Sequence, residues 1–113
     1  HLTRQMPYAR AMEILLTGEL MDARQAFEYG FVNQVVPRSQ VMEAAERYAA
    51  IIAKNGPLAI AAIKQAVLEN SGQNVKTALA REMELSIPVF LSQDAQEGPR
   101  AFKEKRDPVF TGA

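Results

Sequence analysis

The chain has 113 residues, and its 13 basic and 13 acidic side chains give a formal net charge of zero. Its 48% hydrophobic content is typical of a soluble globular domain with a core of its own, and the balanced charge excludes a general attraction to nucleic acid or anionic lipid. The absence of cysteine excludes disulfides, thiolate zinc sites and cysteine nucleophiles, and no apolar run approaches the roughly 20 residues that cross a bilayer.

Two short helices are predicted at the start of the chain. Pro7 suits a first helical turn and Gly18 suits a helix end, so the apolar stretch between them predicts the first helix. Asp22 is a good N-cap for the second helix because Gln25 follows three residues later and completes a capping box. Gly30 is expected to end this helix because glycine tolerates a positive φ.

Residues 31–36 are the only strand-like segment of the chain. The segment is rich in β-branched residues and is followed by Pro37, a pattern that favours an extended strand. One strand cannot form a sheet, and unpaired backbone groups are costly when buried. Any pairing partner for this strand is therefore expected outside the chain or in another subunit.

Four further helices are predicted in the rest of the chain. Their first residues are marked by caps or by proline, in this order: Ser39, Pro57, Asn74, and either Ser92 or Asp94. Pro88 lacks a backbone N–H and is expected to kink or end the third of these helices. Pro108 closes the last one. The chain is therefore expected to be mainly α.

The residue pattern contains no catalytic or metal-binding constellation. His1 is the only histidine and has no Ser or Asp partner nearby in the sequence. The six glycines are scattered at helix ends and form no phosphate-binding loop. Asp94 and Glu97 are only a pair, which the preference for negative charge near a helix N-terminus explains better than a metal does. We assign no catalytic residue and no metal ligand.

A local basic cluster lies at the end of the last predicted helix. Residues 100–106 contain four bases and one acid around the ring of Phe102. An aromatic ring flanked by cations can stack on a flat base while a lysine ammonium binds a phosphate. In the alternative interpretation, Phe102 anchors the helix in a core and the bases face water. The residues alone leave both interpretations open.

Three sequence blocks in a fixed order resemble a known family. The first is PYARAMEILLTG at 7–18, and the second is DARQAFEYGFVNQVVP at 22–37. The third block comprises Asp94, Glu97-Gly98, Ala101-Phe102, Glu104-Lys105-Arg106, Pro108 and Phe110. Together they resemble the C-terminal half of the crotonase family, also called the enoyl-CoA hydratase/isomerase family.

The resemblance implies that residues 1–113 are the C-terminal helical region of a crotonase-like fold, the region that forms trimers, with at most one short strand near 31–36. In this family a spiral of β-strands in the N-terminal portion supplies two backbone N–H groups that bind the thioester oxygen, and often glutamates for acid–base work. This β-spiral core is expected to be absent here, and no glutamate of the chain inherits a catalytic role.

The resemblance implies a binding role for Phe102 and Lys105. In several family members the Phe and Lys of the Ala-Phe-x-Glu-Lys motif approach the adenine and phosphate end of coenzyme A, often from a neighbouring subunit. A coenzyme A thioester is then the substrate, with no permanently bound cofactor. The implied partner is a second copy of the protein, in a trimer or hexamer, and neither nucleic acid nor membrane. The implied location is cytoplasmic, or the mitochondrial matrix in a eukaryote.

The implied activity belongs to the intact protein, most often a hydratase that adds water to a 2-enoyl-CoA thioester. This chain would supply subunit contacts and part of the coenzyme A site and would be inactive alone. Isomerase, dehydratase, thioester hydrolase and decarboxylase reactions share the same tail and remain alternatives. A non-catalytic helical interaction module is an alternative of a different class.

Overall fold

The computed structural model describes all residues 1–113 and is mainly α, as predicted. It contains short 3-10 turns at Leu2–Arg4 and Arg38–Gln40. The α-helices are α1 (Tyr8–Thr17), α2 (Ala23–Glu28), α3 (Val41–Ala53), α4 (Pro57–Asn70), α5 (Val75–Phe90) and α6 (Gln93–Glu104). The chain divides into two compact units, His1–Ala44 and Ala45–Ala113.

In the first unit, local sequence signals set the ends of α1 and α2. Gly18 ends α1 with a φ of 70°, and its N–H donates to the carbonyl of Ile14. Asp22 and Gln25 form the predicted capping box of α2, because the Asp22 carboxylate accepts from the Gln25 N–H at 2.8 Å while the Gln25 side chain accepts from the Asp22 N–H at 3.0 Å. Gly30 follows α2 with a φ of 73°.

Residues 31–36 form bends and irregular backbone, so the predicted strand is not formed in this chain. The N–H groups of Phe31 and Val32 both donate to the carbonyl of Ala26, at 2.8 and 3.3 Å. These bonds complete the end of α2. The chain contains no other strand with which the segment could form a ladder, which is the physical reason for the difference.

In the second unit, α4 and α5 pack against each other as a helical hairpin. The Asn70 side chain donates to the carbonyl of Ala78 at 3.2 Å, and the Arg81 Nε donates to the Glu69 carboxylate at 2.6 Å. Because these contacts join the end of α4 to the first half of α5, the two helices run antiparallel. Asn74 caps α5 as predicted, since its side chain accepts from the Thr77 N–H at 3.0 Å.

The prolines act close to helix ends. Pro57 begins α4, where its missing N–H costs nothing. Pro88 lies in the last turn of α5, which ends at Phe90, so of the two predicted effects, a kink or an end, the structure shows the end of the helix. No single helix is both long and apolar enough for a membrane span; only Arg38–Ala53 and Pro57–Asn70 taken together reach those limits, and they are bent by 109° at the break.

Large apolar side chains are left uncovered, so the prediction of a core of the chain's own is wrong. The buried hydrophobic residues are Met6, Ala11, Ala26, Ala66 and Ala101, and no large side chain is fully buried. A helix buries its apolar stripe only when another layer packs on it, and the six helices here supply too few such layers. One face of α5 is exposed by 50 to 76% at each of its apolar positions: Val75, Leu79, Met83, Ile87 and Phe90.

The capping box predicts the effect of a substitution at Asp22. In the protein that carries this chain, Asp22→Ala should lower the free energy of unfolding by about 1 kcal/mol, because the Gln25 N–H loses its acceptor. Denaturant unfolding and the hydrogen-exchange protection of the Gln25 amide measure the loss. Asp22→Asn keeps a side-chain oxygen and should retain most of the stability. Equal losses in both variants would contradict a role for the cap.

Candidate functional site

The C-terminal tail, residues 107–113, folds back along α6 and is held by Asp94. The two carboxylate oxygens of Asp94 accept from the N–H groups of Thr111 at 2.7 Å and Gly112 at 2.9 Å. In return, the carbonyl of Ala113 accepts from the N–H of Gln93 at 2.7 Å. Ser92 is the N-cap of α6, so Asp94 is free to bind the tail. Asp94 is buried, with 7% of its surface exposed.

Gly112 brings the tail close to the start of α4. Its φ is 78°, in the region that glycine occupies easily, and a Cβ placed there would lie 3.2 Å from the Pro57 ring. The positive φ and this close approach both favour glycine at the position. Together with Asp94, this close approach fixes the end of the tail between α4 and α6.

Glu97 is the most connected side chain of α6. Its carboxylate accepts from both terminal nitrogens of Arg106, at 2.5 and 3.0 Å, and from the N–H of Val109 at 2.9 Å. Arg100 adds a bond from its Nε at 3.0 Å. Only 5% of the Glu97 surface is exposed. The prediction that Asp94 and Glu97 simply favour the helix N-terminus therefore missed their main role, which is to bind the segment after α6.

These contacts also fix the charge of Glu97. The hydrogen bonds from Arg106, then from the Val109 N–H and then from Arg100, hold the pKa of the Glu97 carboxyl far below its usual value of 4.5. The same contact, with a smaller contribution from Glu104, raises the pKa of Arg106. A carboxylate with so low a pKa is a weak base and has no proton to donate near neutral pH, and both of its oxygens already accept hydrogen bonds, so it is unsuited to general acid–base work. Glu97 is thus a structural anion in this chain.

The two predicted coenzyme A contacts lie one turn apart at the end of α6. Phe102 is 86% exposed, whereas its neighbour Ala101 is 1% exposed and faces inward. The alternative in which Phe102 anchors α6 in a core is therefore wrong for this chain. Lys105 ends the helix with a φ of 55°, and its N–H donates to the carbonyl of Phe102 at 3.2 Å. Their contact with coenzyme A stays a prediction.

The basic cluster of residues 100–106 separates into two kinds of side chain. Arg100 and Arg106 form ion pairs with Glu97, and Arg106 also pairs with Glu104. Lys103 and Lys105 have no ion pair in the structure. Arg100 and Glu97 are an i,i+3 pair within α6, but the sequence could not show that Arg106 also binds Glu97, because that pairing depends on the path of the chain after α6.

A cavity of about 670 Å³ lies in the second unit between the end of α3, the start of α4 and the tail. Its walls are mainly apolar, and Lys54 and Lys64 lie among them. Neither Phe102 nor Lys105 lines this cavity, so the predicted contact residues form an open surface at the end of α6. The lining residues are Ile52, Ala53, Lys54, Asn55, Pro57, Ile60, Ala61, Lys64, Asp107, Pro108, Val109 and Phe110.

The depressed pKa of Glu97 predicts how the hold on the tail depends on pH. Because this pKa is lower in the folded chain than its usual 4.5, the bonds to Arg106 and Val109 contribute full stability above pH 4.5. That contribution should be lost as the pH falls from 4.5 through the depressed pKa. In the protein that carries this chain, hydrogen-exchange protection of the Val109 amide, corrected for intrinsic exchange, measures the loss.

A matched pair of variants isolates Glu97 in the same experiment. Glu97→Gln should remove the pH dependence, whereas Glu104→Gln, at the exposed partner of Arg106, should retain it. An unchanged pH profile in Glu97→Gln would show that another group carries the effect.

The chain is similar in sequence to known proteins along nearly its whole length. The whole chain, residues 1–113, matches the sequence model of the family described as enoyl-CoA hydratase/isomerase. Enoyl-CoA hydratase EchA19 from Mycobacterium tuberculosis is 44% identical over 109 residues, which cover 96% of this chain and 41% of that protein. Carnitinyl-CoA dehydratase from Citrobacter koseri is 38% identical over 115 residues, which cover 98% of this chain and 44% of that protein.

Solved structures show the same fold. The chain matches a crystal structure of enoyl-CoA hydratase from Mycobacterium tuberculosis H37Rv with a TM-score of 0.95 and 42% identity, over 99% of this chain and 44% of that one. An enoyl-CoA hydratase from Bacillus anthracis gives a TM-score of 0.95 and 38% identity, over 99% and 43% of the two chains. The chain thus spans less than half the length of these relatives. It belongs to the enoyl-CoA hydratase/isomerase family, as a helical region of the crotonase-like fold.

Proposed function

We propose that the protein carrying this chain is an enoyl-CoA hydratase, which adds water to the double bond of a 2-enoyl-CoA thioester. The 44% identity to the enoyl-CoA hydratase EchA19, over 96% of this chain, is the observation that carries the proposal. The thioester is the substrate, and no permanently bound cofactor is needed. A cytoplasmic location, or the mitochondrial matrix in a eukaryote, belongs to the same proposal.

The chemical step is assigned to residues outside the 113. Hydration needs hydrogen-bond donors that stabilise the developing oxyanion of the thioester, together with a group that moves a proton. The two buried carboxylates here, Asp94 and Glu97, are already bound to the tail and to arginines. The proposed source of the catalytic groups is therefore the β-spiral portion of the fold, which this chain does not contain.

The proposed contribution of this chain to the site is a contact with the nucleotide end of coenzyme A. The exposed ring of Phe102 can stack on the adenine, and the Lys105 ammonium can bind a phosphate as a point charge. The ion pairs support this assignment, because both neighbouring arginines bind Glu97 while Lys105 has no acidic partner.

A second proposed contribution is to subunit contacts in a trimer or hexamer. The apolar face of α5 supports it, because five large side chains at helical spacing are at least half exposed in this chain. A continuous exposed apolar face of this kind typically marks a surface that another element or subunit covers.

A dehydratase acting on carnitinyl-CoA is the second candidate reaction. Its support is the similarity to carnitinyl-CoA dehydratase from Citrobacter koseri, at 38% identity over 98% of this chain. Dehydration is the reverse of adding water to a double bond, so both candidates use the same type of chemistry. The substrate decides between them.

Turnover of the two substrates tests the proposed reaction. The protein that carries this chain should hydrate a 2-enoyl-CoA, followed as loss of the conjugated thioester absorbance, and should dehydrate carnitinyl-CoA much more slowly. The 113-residue chain alone should show no rate above buffer, because it has no catalytic constellation. Faster turnover of carnitinyl-CoA would favour the second candidate. Hydration by the isolated chain would contradict the assignment of the chemical step to residues outside the 113.

The nucleotide contact predicts a salt-dependent effect of a substitution at Lys105. In the protein that carries this chain, Lys105→Ala should weaken coenzyme A binding about 2- to 5-fold at low salt and less at high salt, because exposed charge contacts are screened. Titration calorimetry measures the Kd. Lys103→Ala removes the same charge from the same helix end and should weaken binding less. Equal effects of the two substitutions would show that the general positive potential of the helix end attracts coenzyme A, without a specific contact at Lys105.

A further inference from the structure

Lys105 adopts a backbone conformation that residues with a side chain rarely take. Its φ and ψ are 55° and 41°, in the left-handed helical region. It is the only non-glycine residue of the chain with a positive φ, and the other positive values belong to four glycines. This conformation is unfavourable for a residue with a Cβ, so it persists only where the surrounding structure holds it.

The chain is held on both sides of Lys105. On the helix side, the N–H of Arg106 donates to the carbonyl of Ala101 at 3.1 Å, and the N–H of Lys105 donates to the carbonyl of Phe102 at 3.2 Å. These two bonds reverse the chain at the end of α6. On the far side, the buried Glu97 carboxylate binds the Arg106 guanidinium and the Val109 N–H. Glu97 therefore fixes the residues directly after Lys105 against the middle of the same helix.

This hold determines how Phe102 and Lys105 are placed relative to each other. Ala101 is buried, so the next residue, Phe102, lies on the outer side of the last turn. The left-handed residue then turns the chain away from the helix axis one turn later. Groups fixed before binding lose less conformational freedom when a ligand arrives, so a backbone that is already held at Phe102 and Lys105 favours binding.

We infer that Glu97 is a positioning residue for coenzyme A, because its bonds to Arg106 and Val109 hold the chain reversal that places Lys105 beside Phe102 for contact with the nucleotide end of the ligand. The inference rests on the proposed role of Phe102 and Lys105 in coenzyme A binding. Glu97 itself is buried and its oxygens are bound within the chain, so its effect is expected to pass through Lys105.

Glu97→Gln in the full protein tests the inference. The amide keeps the size of the side chain and an acceptor for the Val109 N–H, but it removes the charge that binds Arg106. We expect the Kd for coenzyme A, measured by titration calorimetry, to rise about 2- to 5-fold. The Kd for pantetheine, which lacks the nucleotide, should stay unchanged. Glu104→Gln, at the exposed partner of Arg106, is the control and should have a smaller effect.

A double variant separates positioning from a general structural role. If Glu97 acts through Lys105, Glu97→Gln should raise the Kd by a smaller factor in the Lys105→Ala background than in the native protein. An equal factor in both backgrounds, or an equal loss of pantetheine binding, would overturn the inference. If Glu97→Gln does not fold, Arg106→Lys weakens the same contact from its other side, because lysine lacks the planar fork of arginine, and should give the same pattern.

The outcomes also distinguish the inference from the proposed function on which it rests. If Lys105→Ala leaves the Kd for coenzyme A unchanged, the proposed contact fails and the inference fails with it. If Lys105→Ala raises the Kd while both Glu97→Gln and Arg106→Lys leave it unchanged, only the inference is overturned.

Discussion

The carboxylate of Glu97 is the group on which the C-terminal part of this structure depends. It is 5% exposed and carries a full charge, which is tolerated because Arg106, Arg100 and the Val109 N–H all donate to it. A buried anion that lost these partners would be strongly unfavourable. The same contacts that neutralise the charge therefore also fix where the chain runs after α6.

Asp94 repeats this arrangement at the other end of the tail. Its carboxylate binds the N–H groups of Thr111 and Gly112, so two acidic residues one helical turn apart hold two separate points of the tail. In this way α6 serves as a support for a segment that has no regular structure of its own. The outer side of the same helix end carries Phe102, and the chain reversal beyond it carries Lys105, so support and proposed contact surface share one short element.

The small number of buried apolar side chains agrees with the family membership of the chain. The buried hydrophobic side chains are Met6 and four alanines, while large apolar residues on α5 remain exposed. This chain covers 44% of the matched Mycobacterium tuberculosis structure, so that relative with the same fold is more than twice as long. The apolar stripes of these helices are therefore expected to pack against surfaces that the 113 residues do not supply.

The sequence by itself determined the local structure and the family. The ends of the helices follow from Asp22 with Gln25, from Asn74 and from Gly18, because capping and positive φ depend on residues only a few positions apart. The exposure of Phe102 and the conformation of residues 31–36 could not be predicted locally, since burial and strand pairing depend on distant parts of the chain. Only the tertiary structure assigned Arg106 and Val109 to Glu97 and the end of the tail to Asp94, because these bonds join residues 9 to 18 positions apart and leave no periodic pattern in the sequence.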